Sequence, residues 1–117
     1  FELRLMDGSS NPYLLQAGVM AAGLDGINNK IDPGEPLFCN MYKDHKNYPN
    51  LERLPNDLEE SLENLENSKI LKEAFGEKVI ASYVKLKKQE IESFDNEERF
   101  DKRSPVTTWE RNNSLDC

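Results

Sequence analysis

Residues 11–27 limit the fold of this chain more than any others, because they predict a helix that is apolar on nearly every side. Asn11 is a favourable N-cap and Pro12 is favourable in the first turn, so we expect a helix over about residues 11–30. Its apolar residues lie around most of the circumference: Leu14, Leu15, Ala17, Val19, Met20, Ala21, Ala22, Leu24 and Ile27. Such a helix is buried against neighbours over most of its surface.

The glycines of this helix and the length of the chain lead to the same expectation. Gly18, Gly23 and Gly26 lower the helix propensity, so we expect close packing against another backbone to compensate. A chain of 117 residues corresponds to one domain and has little material with which to surround an apolar helix. We therefore expect packing partners of this helix to lie outside the chain.

The first seven residues alternate between two faces, which predicts a β-strand at residues 1–7. The two faces are Phe1, Leu3 and Leu5 on one side, and Glu2, Arg4 and Met6 on the other. Because the chain begins with Phe1 and its first residues have the pattern of the middle of a strand, we expect it to be a piece of a longer protein.

The centre of the chain is predicted to be loop-rich over residues 28–56, with a turn at residues 32–36. A second helix is expected to begin at Asn56, with Glu59 as its capping-box residue and three leucines in its buried stripe: Leu58, Leu62 and Leu65. A short helix should follow and end at Gly76.

A long helix is predicted over about residues 77–94, from apolar residues at helical spacing: Ile80, Tyr83, Val84, Ile91 and Phe94. Ser104 and Pro105 are expected to open a terminal helix that contains Trp109 and Leu115. The chain thus divides into a strand (1–7), a buried helix (11–30), a helical part (56–94) and a charged linker with the terminal helix (95–117).

Charge and composition disfavour several classes of function. The sequence has 15 Lys and Arg against 22 Asp and Glu, a net charge of −7, which disfavours binding to nucleic acid or to an anionic membrane. No apolar run approaches the roughly 18–20 residues of a membrane span.

The two cysteines, Cys39 and Cys117, have no metal-ligand spacing, and we expect reduced thiols in a cytoplasmic protein. A disulfide between Cys39 and Cys117 remains an open alternative, which requires that their Cα atoms lie within about 7 Å of each other.

Three polar features are expected to be ordinary solvent-facing groups. The single histidine, His45, is expected in a surface loop. The lysines Lys85, Lys87 and Lys88 favour a solvated helix face over a phosphate site. The acidic residues of the second helix have helical spacing and not the loop spacing of a calcium site.

Glu2 and Arg4 share one face of the predicted strand, with Cα atoms roughly 6.6 Å apart. The residues alone leave two interpretations open. One is a solvent-facing charge pair worth well under about 1 kcal/mol. The other is a metal-ligating carboxylate beside a guanidinium that binds a carboxylate or phosphoryl group.

Several motifs resemble the C-terminal part of the catalytic domain of glutamine synthetases. They are E-L-R at Glu2–Arg4, N-P-Y-L at Asn11–Leu14, A-G-L-D-G at Ala22–Gly26, D-P-G at Asp32–Gly34 and N-M-Y at Asn40–Tyr42. Later segments resemble the family more loosely, and the resemblance extends in order over the whole chain.

The resemblance implies an α+β parent fold, of which this chain forms a mostly α-helical segment with one N-terminal strand followed by four or five helices. It implies a ligase that joins glutamate to ammonia through a γ-glutamyl phosphate and uses ATP with Mg²⁺ or Mn²⁺. By the same resemblance, Glu2 is a metal ligand, and Arg4 is catalytic and binds glutamate and the transferring phosphoryl group. The family's other metal ligands and nucleotide loops have no match in the chain, so we expect the chain alone to be inactive and to bind no cofactor tightly.

The resemblance also bears on assembly, and two alternatives for function stay open. Members of the family form homo-oligomers of stacked rings, and Trp109 and Leu115 resemble anchors that reach into a facing ring. The alternative is a tail that folds onto its own chain.

For the function, the alternatives are a ligase that joins glutamate to another amine, such as a polyamine, and a non-catalytic acidic helical interaction module.

Overall fold

A computed structural model describes residues 2, 3, 5, 6, 8, 10–97 and 106–113. These residues form six α-helices and one 3₁₀ turn, His45–Asn47. In chain order the helices are α1 (Pro12–Asn28), α2 (Met41–Asp44), α3 (Leu58–Asn67), α4 (Lys69–Phe75), α5 (Glu77–Glu97) and α6 (Thr108–Asn113). The mostly helical character expected from the sequence is therefore confirmed.

The strand predicted over residues 1–7 is not formed in the residues that the structure describes there. Glu2, Leu3, Leu5 and Met6 belong to no strand. Alternation of side chains selects two faces, but a strand also needs a neighbouring strand that accepts and donates its backbone hydrogen bonds. The described part of the chain offers no second strand for this pairing.

Helix α1 begins where the sequence predicts, because the Asn11 side chain caps it. Asn11 Oδ1 accepts hydrogen bonds from the N–H groups of Tyr13 and Leu14, at 3.0 and 3.1 Å. Pro12 occupies the first helical position, where a missing N–H costs nothing.

The burial predicted for α1 is not found within this chain. None of its residues is buried, because the helix packs on α4 and leaves its remaining faces open. Within the described residues, a Cβ added at Gly18, Gly23 or Gly26 would meet no atom within 4 Å, so this part of the chain does not supply the close backbone approach expected there. The apolar pattern of α1 is real, but the described chain supplies a neighbour on one side only.

The core lies between α3, α4 and α5. Its buried apolar residues are Leu62 on α3 and Ile80 and Val84 on α5. Partly buried side chains pack around them, namely Leu65, Leu71, Phe75, Tyr83 and Ile91. The predicted stripes of α3 and α5 are confirmed at these positions, whereas Leu58 stays 42% exposed because it stands at the first turn of α3.

The caps of these helices explain where they begin and end. Asp57, and not Asn56, is the N-cap of α3, and its Oδ1 accepts a hydrogen bond from the Glu60 N–H at 2.8 Å. Glu60 Oε2 in turn accepts from the backbone N–H of Asn56, the residue before the N-cap, at 2.8 Å, so this reciprocal cap uses Asp57 and Glu60 and not the predicted Asn56 and Glu59. Gly76 ends α4 with φ of +86°, as the sequence predicts.

The chain is extended for its length. Its Cα radius of gyration is 17.0 Å, against about 13 Å for a compact domain of this size. Many large apolar side chains are accordingly exposed, with Phe38 at 94% and Ile27 at 73%. Among the helices that the structure describes, none is long and apolar enough to cross a membrane.

Candidate functional site

The structure describes one of the two residues predicted to carry the chemistry. Glu2 lies in the segment that precedes α1, and its side chain is exposed. Arg4 lies outside the described residues. The metal-binding role of Glu2 and the anion-binding role of Arg4 therefore stay predictions.

A divalent cation needs several oxygen ligands that converge on one point. Within the described ranges, no three His, Cys, Asp or Glu side chains come together in a group that could hold a metal ion. Glu2 supplies a carboxylate of the right chemistry, but one carboxylate is not a complete site. The residues described here do not by themselves fit the metal that the resemblance implies.

Helix α1 presents an apolar surface next to the segment that contains Glu2. Tyr13 is 82% exposed and Met20 is 66% exposed, and Leu24 and Ile27 continue the same side of the helix at spacings of four and three residues. Asp25 is the one charged residue of α1. This surface suits packing against another protein surface, and it offers few groups for binding a polar substrate.

The loop motifs D-P-G and N-M-Y have clear local roles. Asp32 Oδ1 accepts a hydrogen bond from the Gly34 N–H at 2.9 Å, and Gly34 has φ of +81°, which favours glycine. Asn40 caps α2 by accepting from the Tyr42 N–H at 3.1 Å, and Asp44 Oδ2 accepts from the Asn40 N–H at 3.2 Å. The sequence prediction of a loop here missed α2, whose signal is the capping asparagine.

A small sulfur and phenol cluster follows the D-P-G turn. Cys39 is a free thiol whose Sγ lies 3.4 Å from Met41 Sδ. Its side-chain hydrogen bond with Tyr48, together with the charge of the thiolate, raises the pKa of Tyr48. Sequence reasoning missed this contact, because the two residues are nine positions apart in an irregular segment. Cys117 lies outside the described residues.

Two lysines of α5 form ion pairs with carboxylates. Lys87 Nζ lies 2.7 Å from Glu90 Oε2, and Lys88 Nζ lies 3.1 Å from Glu66 Oε2 on α3. The ammonium of Lys87 also lies 5.9 Å from the centre of the Tyr83 ring. These contacts favour the expected solvated helix face over a phosphate site. His45, far from these lysines in the sequence, is exposed at the surface, as expected.

The terminal helix packs on its own chain. Trp109 Nε1 donates a hydrogen bond to Ser93 Oγ on α5 at 3.0 Å, and the Trp109 and Phe94 rings meet edge to face with centroids 5.7 Å apart. Trp109 thus contacts α5 of its own chain, and its role as an anchor in a facing ring stays a prediction. Leu115, the second predicted anchor, lies outside the described residues.

Comparisons with known proteins place this arrangement in a family of ligases. Residues 1–113 match the family model described as the catalytic domain of glutamine synthetase. The glutamine synthetase of Rhizobium meliloti is 40% identical over 116 residues, which are 99% of this chain and 25% of that protein. The γ-glutamylethanolamide synthetase GlnA4 of Streptomyces coelicolor is 37% identical over 116 residues, which are 99% of this chain and 22% of that protein.

A solved structure supports the same assignment. A complex of GmaS with ADP superposes with a TM-score of 0.75 at 36% identity, and the match covers 98% of this chain and 24% of that one. The chain belongs to the glutamine synthetase family and corresponds to part of its catalytic domain. It spans about a quarter of the length of the relatives that it matches.

Proposed function

We propose that this chain is the C-terminal segment of the catalytic domain of an ATP-dependent ligase that joins glutamate to ammonia. The observation that carries the proposal is the match of residues 1–113 to the glutamine synthetase catalytic domain. That range includes both Glu2 and Arg4. Relatives that are named glutamine synthetase and share 40% or more of the aligned residues add support.

The proposed reaction has two steps. An oxygen of the glutamate side-chain carboxylate attacks the γ-phosphorus of ATP, which gives γ-glutamyl phosphate and ADP. The nitrogen of ammonia then bonds to the acyl carbon, the bond from that carbon to the phosphate oxygen breaks, and a proton leaves the new amide. Catalysis of such a reaction consists mainly of positioning and charge neutralisation.

In this proposal, Arg4 holds oxygens of glutamate and of the transferring phosphoryl group. A planar guanidinium presents two parallel N–H donors, which match the paired oxygens of a carboxylate or phosphoryl group. Glu2 contributes one carboxylate ligand to Mg²⁺ or Mn²⁺. Because no group of three metal ligands meets within the described residues, the other ligands have to come from elsewhere in the intact enzyme.

The test replaces Arg4 in the intact enzyme. Arg4→Lys keeps the positive charge but loses the two-donor geometry, so glutamine formation should fall by about 10²–10³ in kcat/KM. Arg53→Lys is the matched control, since Arg53 lies exposed in a loop. If Arg4→Lys and Arg4→Ala both kept the wild-type rate, Arg4 would have no catalytic role, and a non-catalytic helical interaction module would be the better interpretation.

A second candidate is a ligase that joins glutamate to a different amine. Its support is the 37% identity to a protein named γ-glutamylethanolamide synthetase. Measuring kcat/KM for ammonia, ethanolamine and a polyamine with the same enzyme separates the two candidates. A clear preference for ammonia supports the first, and a preference for a larger amine supports the second.

Three further proposals concern the state of the protein. We infer that the chain alone does not form glutamine, since its described residues assemble no metal site. Glutamine production from ATP, glutamate and ammonia by the purified 117-residue chain would contradict this. We also infer that the intact enzyme is a homo-oligomer of stacked rings, which light scattering of the intact enzyme tests. We infer that it lies in the cytoplasm, a compartment where the Cys39 thiol stays reduced.

A further inference from the structure

A group of soft metal-ligating side chains lies between α1 and α3, outside the segment that contains Glu2 and Arg4. Cys39, Met41 and His45 supply a thiol, a thioether and an imidazole in one short stretch of the sequence. Cys39 is half-buried, Met41 is 38% exposed and His45 is exposed. A dissolved ion therefore has access to all three side chains in this chain.

The two sulfur atoms already point at each other. The Cys39 thiol donates a hydrogen bond to the Met41 thioether, with Sγ and Sδ 3.4 Å apart. When the thiol loses its proton, lone pairs of both sulfurs face the place where the proton was. At a metal–sulfur distance of about 2.3 Å, a trigonal site needs its sulfurs about 4.0 Å apart, so this pair has to open by roughly 0.6 Å. The flexible side chain of methionine allows such an adjustment.

The backbone places His45 on the same side as Met41. Met41 is the first residue of α2, and His45 opens the 3₁₀ turn that continues it four residues later. Residues four apart in a helical run share one face, so the imidazole lies on the side of the thioether. Tyr48 makes a side-chain hydrogen bond with Cys39, which is the kind of contact that orients a metal ligand and tunes it.

We propose that Cys39, Met41 and His45 form a binding site for a soft monovalent cation, and that Cu(I) is the ion that fits these ligands. Thiolate and thioether ligands select Cu(I) over hard ions such as Mg²⁺. Protein zinc sites use thiolate, imidazole and carboxylate, so the thioether favours Cu(I) over zinc as well. On binding, the ion replaces the thiol proton, which leaves to solvent, and no electron is transferred. Because the ion differs in class from the metal proposed at Glu2, the inference does not depend on the proposed ligase function.

The test is an anaerobic titration of the full 117-residue chain with Cu(I), in competition with a chromophoric Cu(I) chelator. Cys39→Ser removes the thiolate and should abolish binding. Met41→Leu keeps the apolar volume but loses the sulfur, and His45→Asn loses the imidazole. Each of these two variants should lower the affinity by at least about 10-fold, because changes that only disturb the orientation of a ligand already cost about 10- to 100-fold.

Two matched controls make the same chemical changes elsewhere in the chain. Cys117→Ser removes the other thiol, and Met20→Leu replaces an exposed methionine of α1. Neither should change the affinity for Cu(I), and far-UV circular dichroism checks that every variant retains the helices. The proposal is overturned if Met41→Leu or His45→Asn binds Cu(I) as tightly as the wild type, or if Cys117→Ser weakens binding as much as Cys39→Ser does.

Discussion

The carboxylate of Glu110 accepts two hydrogen bonds from Thr107, one from its backbone N–H at 2.7 Å and one from its hydroxyl at 2.8 Å. These bonds favour the charged carboxylate. The backbone bond, followed by the hydroxyl bond, lowers the pKa of Glu110 against a smaller opposing effect of desolvation. The start of α6 is therefore sensitive to acid.

The first prediction is that α6 loosens at low pH. Because the pKa of Glu110 is lower in the folded chain than its ordinary value of 4.5, its contribution is fully present above that value and is lost as the pH falls through the lowered pKa. Trp109 fluorescence during an acid titration should show this release. Glu110→Gln should remove the transition, and Glu52→Gln in an exposed loop should leave it in place. An unchanged titration in Glu110→Gln would assign the acid sensitivity to other groups.

The second prediction concerns the small core between α3 and α5. Leu62 is 2% exposed and packs in the cluster with Ile80 and Val84, so Leu62→Ala should lower the free energy of unfolding by about 2–5 kcal/mol. Leu86→Ala, at a position that is 54% exposed, is the control and should cost far less. Urea unfolding followed by circular dichroism measures both, and equal losses would mean that Leu62 is not central to the core.

The third prediction contrasts two glycines. Gly76 has φ of +86° at the end of α4, so Gly76→Ala should cost about 1–3 kcal/mol of stability from backbone strain alone. Gly23 lies inside α1, where an added Cβ meets nothing within 4 Å. Gly23→Ala should therefore stabilise the chain by about 0.5–1 kcal/mol. Thermal unfolding measures both changes, and a destabilising Gly23→Ala would reveal a neighbour that approaches the α1 backbone closely.

The fourth prediction concerns the contact between Cys39 and Tyr48. The hydrogen bond with Cys39 raises the pKa of Tyr48 above 10.0, so Cys39→Ala should lower the pKa of Tyr48 towards that value. Titration of tyrosine side-chain NMR signals measures it. Ser82→Ala, on α5, should leave the titration of Tyr48 as it is in the wild type, and a Tyr48 pKa that stays raised in Cys39→Ala would exclude the thiol as its cause.

Local signals in the sequence predicted the helices well where a single side chain decides the outcome. Asn11 caps α1 and Gly76 ends α4, as expected. The start of α6 also has a local signal, because Thr107 and Glu110 have the T-x-x-E spacing of a capping box. The N-cap of α3 was misplaced by one residue because Asn56 and Asp57 are both favourable caps and only their geometry distinguishes them.

The candidate site, in contrast, could not be predicted from local signals of this kind. The resemblance identified Glu2 and Arg4 and the family, and the match over residues 1–113 confirmed the family. The roles of the two residues depend on groups that come together from distant parts of a fold. A local sequence pattern does not show which distant groups meet. For the same reason the sequence could not pair Cys39 with Tyr48, or Trp109 with Ser93.

The sequence by itself determined that α1 starts after Asn11 and that α4 ends at Gly76, which apolar residues of α3 and α5 face inward, and to which family the chain belongs. These properties follow from hydrogen bonds within a few residues and from apolar periodicity. The tertiary structure alone decided that α1 keeps its apolar surface exposed, that the described part of the first segment forms no strand, and that Trp109 docks on α5. Burial and strand pairing each require a second surface, and which surface is available depends on the folded arrangement of the whole chain.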